Sequence, residues 1–597
     1  VPSLDLRFAE NKSLVDATTG ANLVTFTRAS SGTFVGADGL IKTATTNLLL
    51  RSEEFQTFWG VTNSSVSADT SETVSPTGLS TADKLTASAG SALKAIFQGI
   101  TSATGTYTFS VYAKKSNHDF IQFFYGGTGQ DYANFNISTG ATGTTVGTSS
   151  IASIGNGWYR CVHTFTASAN TSINIALVDA STSARASSSS NTNAIYLWGA
   201  QLEQASTVGE YIPTTSTINS APRFDHNPTT GESLGLLVEE QRTNSIRNNT
   251  MVGAVAGTPG TLPTNWSSSA GNGIAVNVIG TGTENGISYI DLRFVGTATA
   301  TSQVAVRFDG TANMSALAST AYTGTVYVRR VSGSNANLNS VLHYLVARNS
   351  GASNIGDSNV NITSSLGASS LNANRQAITY TTPALTTTIQ HDVRIDFNNS
   401  AVIDITLRIG LPQLEQGAFA TSVIPTSGTA VTRSADVASI TGTNFSSWYR
   451  QDEGTVFASY QFPAGSAVNT NSRQLFDSSD GTTNNRFSVR GIGGASTADQ
   501  ITVRSGASTV AQFSTNGTAP GTAPRAIAAV YRLDDYAAVA TGSTSAVTDT
   551  SGALPVGLNQ ANIGGAVNGT EYLSGTIKRL TYWPTRLPNT TLQQITQ

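Results

Sequence analysis

Residues 231 to 235 read GESLG, the G-x-S-x-G spacing that sets a nucleophilic serine on a strained turn between a strand and a helix. The flanks predict something else. A Pro-Thr-Thr turn precedes the motif and the strand-like run LLVEE follows it, so Ser233 is expected in a hairpin. His118-Asp119, Asp225-His226 and His391-Asp392 each place imidazole beside carboxylate in the chain, but neighbours along a strand point to opposite faces. No two histidines stand at metal-ligand spacing and Cys161 is the single cysteine, so a zinc cage is not expected and the histidines read as solvated or edge positions. Glu203 and Glu415 hold equivalent places in two copies of QLEQ. A glycosidase needs two carboxylates about 5 to 9.5 Å apart across one bond, whereas these fall one per domain, which predicts a structural role. No catalytic residue is expected, and the chain reads as non-enzymatic.

Binding chemistry is better represented. The stretch around YGGTGQDYANF carries Phe123, Phe124, Tyr125 and Tyr132, rings able to stack on sugars. A strand buries every second residue, so one or two of the four are expected at the surface, and Tyr125, Asp131 and Tyr132 are the candidate carbohydrate-binding residues. The oxygen-rich DSSDGTTNN, residues 477 to 485, makes Asp477 and Asp480 candidate calcium ligands. It lacks the spacing of an EF-hand loop, and an Asp-Gly hairpin turn is the competing reading. No cofactor other than this possible calcium is expected. Trp158, Trp448 and Trp583 lie in strand patterns and are assigned to cores.

The elements that would position these residues are strands. Apolar residues alternate with polar ones in TYTFSVYAKK, WYRCVHTFTA, TGTVYVRR and AVIDITLRIG, and Gly, Asp-Gly and Ser/Thr clusters punctuate them densely. Little helix is expected. The text also repeats itself: YTFSVYAKK from Tyr107 returns as YTGTVYVRR from Tyr322, WGAQLEQ returns as GLPQLEQ, and Pro213 of YIPT returns as Pro425 of VIPT. The matched positions are scaffold and the unmatched ones are loops, where recognition would reside. The expected fold class is therefore all-β: two tandem homologous jelly-roll β-sandwiches, at 46–218 and 243–437, followed by a third sandwich at 438–597. Residues 1–45 read as an N-terminal docking segment and hairpin, with Asp38-Gly39 at its turn. Residues 219–242 read as a connecting hairpin around NPTTGE.

Charged residues make up 12% of the 597 and the net charge is -3, without basic blocks, so nucleic acid is an unexpected partner. One cysteine excludes an internal disulfide framework. No apolar run approaches the roughly 18 residues of a membrane span, and no signal-peptide pattern opens the sequence; neither membrane insertion nor classical secretion is expected.

The phrases RASSGTFVGADGLIKTA, PRFDHNPTTGESLGLLVEEQRTN and WGAQLEQ...YIPTT resemble those of tailed-bacteriophage virion proteins, in which they accompany carbohydrate-binding-module-like jelly rolls. The closing GTIKRLTYWPTRLPNTTLQQIT is similar to the last strand of a concanavalin A-like, or laminin-G-like, sandwich. The resemblance implies a structural protein at the phage particle surface: a tail fibre or spike that displays its domains to host-surface glycans. It further implies homotrimeric assembly and contact with other virion proteins through the N-terminal segment. Its alternatives are a head fibre or capsid decoration protein and a tail-associated polysaccharide depolymerase. In that family DGLIKTA runs almost directly into PRFDH, whereas here a jelly roll intervenes. Residues 26–43 and 221–238 are therefore expected to lie side by side.

Overall fold

The computed structural model describes all residues except 102, 127–129, 168–169, 270, 311–313, 464–471, 493–498 and 519–521, and the side chain of residue 171. Among the described residues, helix is confined to Phe8–Asn11, Gly442–Ser446, Asn589–Ile595 and a 3-10 turn at Thr363–Gly367. The chain forms two compact units.

The smaller unit, Arg28–Ser31 with Ala44–Ala221, is a sandwich of two six-stranded antiparallel sheets. One sheet centres on Gly105–Lys115 between Trp158–Ala167 and Ala194–Glu203; the other centres on Phe120–Tyr125 between Tyr132–Asn136 and Thr171–Leu177. Alternation along these strands drives Phe109, Phe123, Phe135 and Ile175 into one core, with the Phe109 and Phe123 rings 4.7 Å apart between centroids.

The larger unit holds two further sandwiches. In the first, a five-stranded sheet containing Ala321–Gly333 and Val402–Gln416 faces a six-stranded sheet containing Leu338–Arg348 and Thr388–Phe397. Ile290, Phe294, Val326, Leu345 and Ile405 are among the residues of its core. The second is not confined to 438–597. Its eight-stranded sheet takes in Arg223–His226, Ser233–Val238 and Leu4–Leu6, the last two pairing with the final strand, Gly575–Trp583. Its seven-stranded sheet takes in Thr25–Thr27, paired with Val437–Thr441. Residues 1–45 are thus not a detached docking segment. Leu4, Leu6 and Phe8 are buried in the third sandwich's core, and Asp5 accepts hydrogen bonds from Arg579 Nε (2.8 Å) and Thr581 Oγ1 (2.9 Å). The C-terminal turn of helix, Asn589–Ile595, seats Leu592 against Val530 and Val539.

The two short hairpins meet. Val35 N–H donates to Asp225 (2.7 Å), Arg223 Nη1 donates to Thr33 O (2.9 Å), and His226 Nδ1 lies 3.0 Å from Val35 O. Ser233 opens the strand Ser233–Val238 of a hairpin, with no helix after it. Gly235 has φ +92, and a side chain there would lie 2.1 Å from Ile577 O, so glycine allows the hairpin to approach the last strand.

The repeated phrases build one device twice. In each jelly roll the QLEQ glutamate and the glutamine two before it face the chain that returns after the strand. Glu203 accepts from Gly209 N (2.8 Å) and Gln201 Nε2 (3.0 Å), while Gln201 Oε1 accepts from Ile212 N (2.8 Å). Glu415 likewise accepts from Thr421 N (3.0 Å) and Gln413 Nε2 (2.7 Å), and Gln413 Oε1 accepts from Ile424 N (2.7 Å). Asn47 and Asn244 complete the clasp by donating to Ile212 O (2.8 Å) and Ile424 O (3.0 Å). Even the irregularity recurs, since a register shift falls between Ser110 and Tyr112 and again between Thr325 and Tyr327. Glu415→Ala would strip Thr421 and Gln413 of a buried acceptor. We expect a loss of about 2 to 3 kcal/mol, read as a lowered denaturant midpoint, with the larger unit's amides exchanging faster.

Candidate functional site

The aromatic candidates of the first jelly roll are core residues. Phe123, Phe124 and Tyr125 are all buried, because Phe120–Tyr125 is an inner strand covered on both faces. Tyr125 stacks on Phe165, its hydroxyl 2.6 Å from His163 Nδ1, and burial raises its pKa well above the usual tyrosine value. Arg185 lies over the outward face of Phe124, 5.3 Å from the ring centroid. Tyr132 is half-buried against the Phe124 cluster, and Asp131 accepts from Thr166 N (3.2 Å). These residues present no open platform; Gly127, Thr128 and Gly129 of the same stretch lie outside the described residues.

The calcium candidates do not converge either. Asp477 is buried and accepts from Ser488 Oγ (2.6 Å) and Val567 N (3.1 Å), whereas Asp480 closes its own turn through Thr482 N (2.8 Å) and Asn485 Nδ2 (2.9 Å). Among the described residues no three His, Cys, Asp or Glu side chains gather as a metal site would require. The histidines overturn expectation as well, for all five are buried. His343 and His391, 48 residues apart in sequence, touch through their Nε2 atoms at 2.6 Å in the second jelly roll's core.

The site that the fold does build lies in the larger unit, where the second jelly roll adjoins the third sandwich. It is an open, predominantly polar cleft of about 900 Å³. Arg242 enters it from the end of the VEEQR phrase, Phe419 from the loop after Val402–Gln416, Arg473 from Ser472–Ser479, and Glu571 and Tyr572 from the loop before the last strand. The guanidinium carbons of Arg242 and Arg473 stand 4.7 and 4.6 Å from the centroid of the Phe419 ring. Gly417 makes this possible. A Cβ there would lie 1.4 Å from Arg242 Nη1, which instead donates to Gln416 O. Burial pushes the Arg473 pKa down to about 10, with Glu240 opposing the shift and Arg242 adding to it. The two carboxylates of the cleft face cations: Glu240 pairs with Arg242, and Glu571 accepts from Gln474 Nε2 (2.8 Å) with Arg490 3.6 Å away. Tyr572 is half-buried at the wall.

A smaller pocket of about 420 Å³ opens beside the two hairpins, lined by Phe34, Tyr327, Phe462, Asp225 and Glu239 among others. Burial, with the charge of Glu239, pushes Asp225 up to about 6. Burial also opposes ionisation of Glu239, but Arg433 and Arg223 overcome it and hold the group at about 2. Carboxylates split in this way can serve as acid and nucleophile. Here both Glu239 oxygens are already engaged, by Ser422 N and Oγ (both 2.7 Å), Arg223 (2.8 Å) and Arg433 (3.0 Å). The arrangement is that of a joint between segments.

The architecture defines an all-β protein assembled from β-sandwich domains. No family model matches the chain, and no curated protein matches it. Among solved structures it is similar to a sialidase CBM40 from Ruminococcus gnavus bound to α2,3 sialyllactose. The identity is 19%, over 24% of this chain and 83% of that one, with a TM-score of 0.21. It is similar also to the tandem CBM22-1-CBM22-2 of Xyn10C from Paenibacillus barcinonensis, at 11% identity over 63% and 98% of the two chains with a TM-score of 0.19. A third likeness is to the LG1-3 region of the laminin α2 chain, at 8% identity over 80% and 92%, TM-score 0.15. Likeness at this level does not extend to a ligand.

Proposed function

We propose that this is a non-enzymatic virion protein of a tailed bacteriophage, a tail fibre or spike that presents β-sandwich domains to glycans on the host surface. The cleft beside Phe419 carries the reading: it is wide, polar, bordered by an aromatic side chain, and framed by strand ends and the loops that follow them. Binding is favoured over hydrolysis because Glu240 and Glu571 are already engaged, the first by Arg242 and the second by Gln474 and Arg490, rather than left to flank a glycosidic bond. Homotrimeric assembly would convert weak single-site contacts into avidity. With Leu4, Leu6 and Phe8 committed to the core, docking onto the rest of the particle would use the exposed Glu10, Asn11 and Lys12 and the turn after them. Purified protein is expected to bind host cells and host glycans on an array without shortening the polysaccharide, and to run as a trimer in light scattering. Antibody labelling of particles should decorate the tail. Absence of binding to any saccharide, or release of reducing ends, would overturn the proposal.

A further inference from the structure

We infer that the pocket beside the two hairpins is a second binding site, which seats one neutral sugar ring on Phe34 with its hydroxyls donating to Asp225 and accepting from Tyr327. That the ligand is a sugar, among rings that carry hydroxyls, rests on the glycan-binding reading above. That the pocket takes such a ring at all follows from the two jelly rolls compared with each other.

The two copies treat one sheet face, the one turned away from the core, differently. In the first, Arg160 lies over Tyr112, 5.3 Å from the ring centroid, and donates to Gly209 O (2.9 Å) and Ser110 Oγ (3.1 Å). Tyr211 packs on Tyr112, 5.9 Å between centroids, and its hydroxyl donates to Glu53 (3.1 Å). The second copy repeats the platform: Arg375 lies 5.7 Å over Tyr327 and donates to Thr421 O (2.8 Å) and Thr325 Oγ1 (3.1 Å). It does not repeat the ring, because Val423 stands where the aligned QLEQ phrases have Tyr211. Val423 and Tyr327 both line the pocket of about 420 Å³, a volume within the range of small-molecule sites. A carboxylate is again present, supplied by Asp225 of the second hairpin. The first copy thus shows with its own side chain what the second leaves room for, a ring that gives a hydroxyl to a carboxylate.

The groups facing that room are available. Asp225 draws backbone N–H groups, Val35 at 2.7 Å among them, and no side chain among the described residues donates to it. Pushed up only to about 6, it is mainly ionised at neutral pH, a desolvated charge short of donors. Tyr327 is buried, and its hydroxyl has no hydrogen-bond partner among the described residues. Burial raises its pKa, so it stays a donor. Phe34 is half-buried, and among the described residues no cation or second ring covers it, unlike Phe419. The Arg375 hydrogen bonds are made within the jelly roll and Glu239 has its own partners. What remains is a carboxylate, a phenol and an apolar ring, the complement of sugar hydroxyls and a sugar C–H face. Arg375 over Tyr327 would repel an ammonium ion in the same place.

Saturation-transfer NMR titrations of the full chain with the methyl glycosides of glucose, galactose and mannose, and with p-cresol, test this. At least one glycoside should bind, its ring C–H protons receiving the saturation. Tyr327→Phe should weaken that glycoside about fivefold and leave the thermal unfolding midpoint unchanged, since the lost hydroxyl has no partner in the fold. Asp225→Asn keeps an oxygen for Val35 N–H and removes the repulsion with Glu239. It should weaken the glycoside about tenfold. Val423→Tyr, which gives the second copy the ring of the first, should abolish binding. A glycoside that binds all three variants as it binds wild type sits elsewhere and overturns the site. So does p-cresol binding that Tyr327→Phe removes while no glycoside binds, because the pocket would then take rings without being a sugar site. If no glycoside binds and the glycan array is positive, this inference fails and the glycan-binding reading stands; if the array is blank as well, both fail.

Discussion

Replacing Arg223 with methionine is expected to destabilise the larger unit by about 3 to 5 kcal/mol, the cost of stranding buried carboxylates without their cation. Arg223 is fully buried, with Asp436 at 2.5 Å and Glu239 at 2.8 Å, and it also donates to Thr33 O and Ser422 Oγ. Burial disfavours its charge, yet the two carboxylates more than compensate and raise its pKa. Remove the guanidinium and Glu239 keeps its pair with Arg433, while Asp436 loses its pair with Arg223. Peptide-resolved hydrogen exchange is the suitable measurement, because Trp59, Trp158 and Trp198 of the smaller unit would confuse a fluorescence trace. Amides of 222–597 should exchange faster, with those of 44–221 unchanged. Adding Glu239→Gln and Asp436→Asn to Arg223→Met should recover part of the loss, since neutral amides are cheaper to bury than unpaired charges. Wild-type exchange in Arg223→Met would show that the network contributes nothing net.

That network explains why a phrase could be recognised in the sequence before its meaning could. PRFDH and VEEQR supply Arg223, Asp225, His226, Glu239 and Arg242, and each contacts residues from distant parts of the chain. Strands and hairpins were legible because alternation and Asp-Gly or Asn-Pro turns act over a few residues. The sheet that each hairpin joins was not. Thr25–Thr27 pairs with Val437–Thr441 and Leu4–Leu6 with Gly575–Trp583, and no local pattern encodes partners so remote. The same limit hid the cleft. Comparing QLEQASTVGEYIP with QLEQGAFATSVIP isolates Phe419 as an unmatched loop aromatic, which is where selectivity was expected. Its companions Arg473 and Tyr572 come from the third sandwich, so the sequence signal reached one of the residues and not their meeting. At Phe123 to Tyr125 the alternation misled in the other direction, because the run FIQFFY is covered on both faces.

The second large effect concerns acid. His343 lies between Val341 and Leu345 and His391 between Ile389 and Val393, so both rings point into the second jelly roll's core, where one Nε2–H must donate to the other Nε2. Burial holds His343 at about 3 and, with His343 beside it, keeps His391 well below the ordinary imidazole value. An unfolded chain would protonate both near pH 6.5, so the stability of the neutral pair is complete above that pH and is lost as pH falls toward 3. Asp392, on the opposite face of the strand, works against this. Burial raises it to about 7, so its penalty is present above pH 7 and relieved below, and Asp225 behaves similarly from about 6. The overall pH profile is thus a contest. The difference between wild type and His343→Leu/His391→Leu is not, because both proteins retain those carboxylates. Leucine removes both hydrogen-bonding partners together and leaves neither stranded, which keeps the change mild at neutral pH. Relative to wild type the double variant should gain stability steadily from pH 6.5 to pH 4, His343 alone supplying about 3 kcal/mol of the gain. Urea midpoints of the larger unit at half-unit pH steps would reveal it. Two parallel curves would mean that the rings already carry their protons in the folded core, and the neutral pair would have to be abandoned.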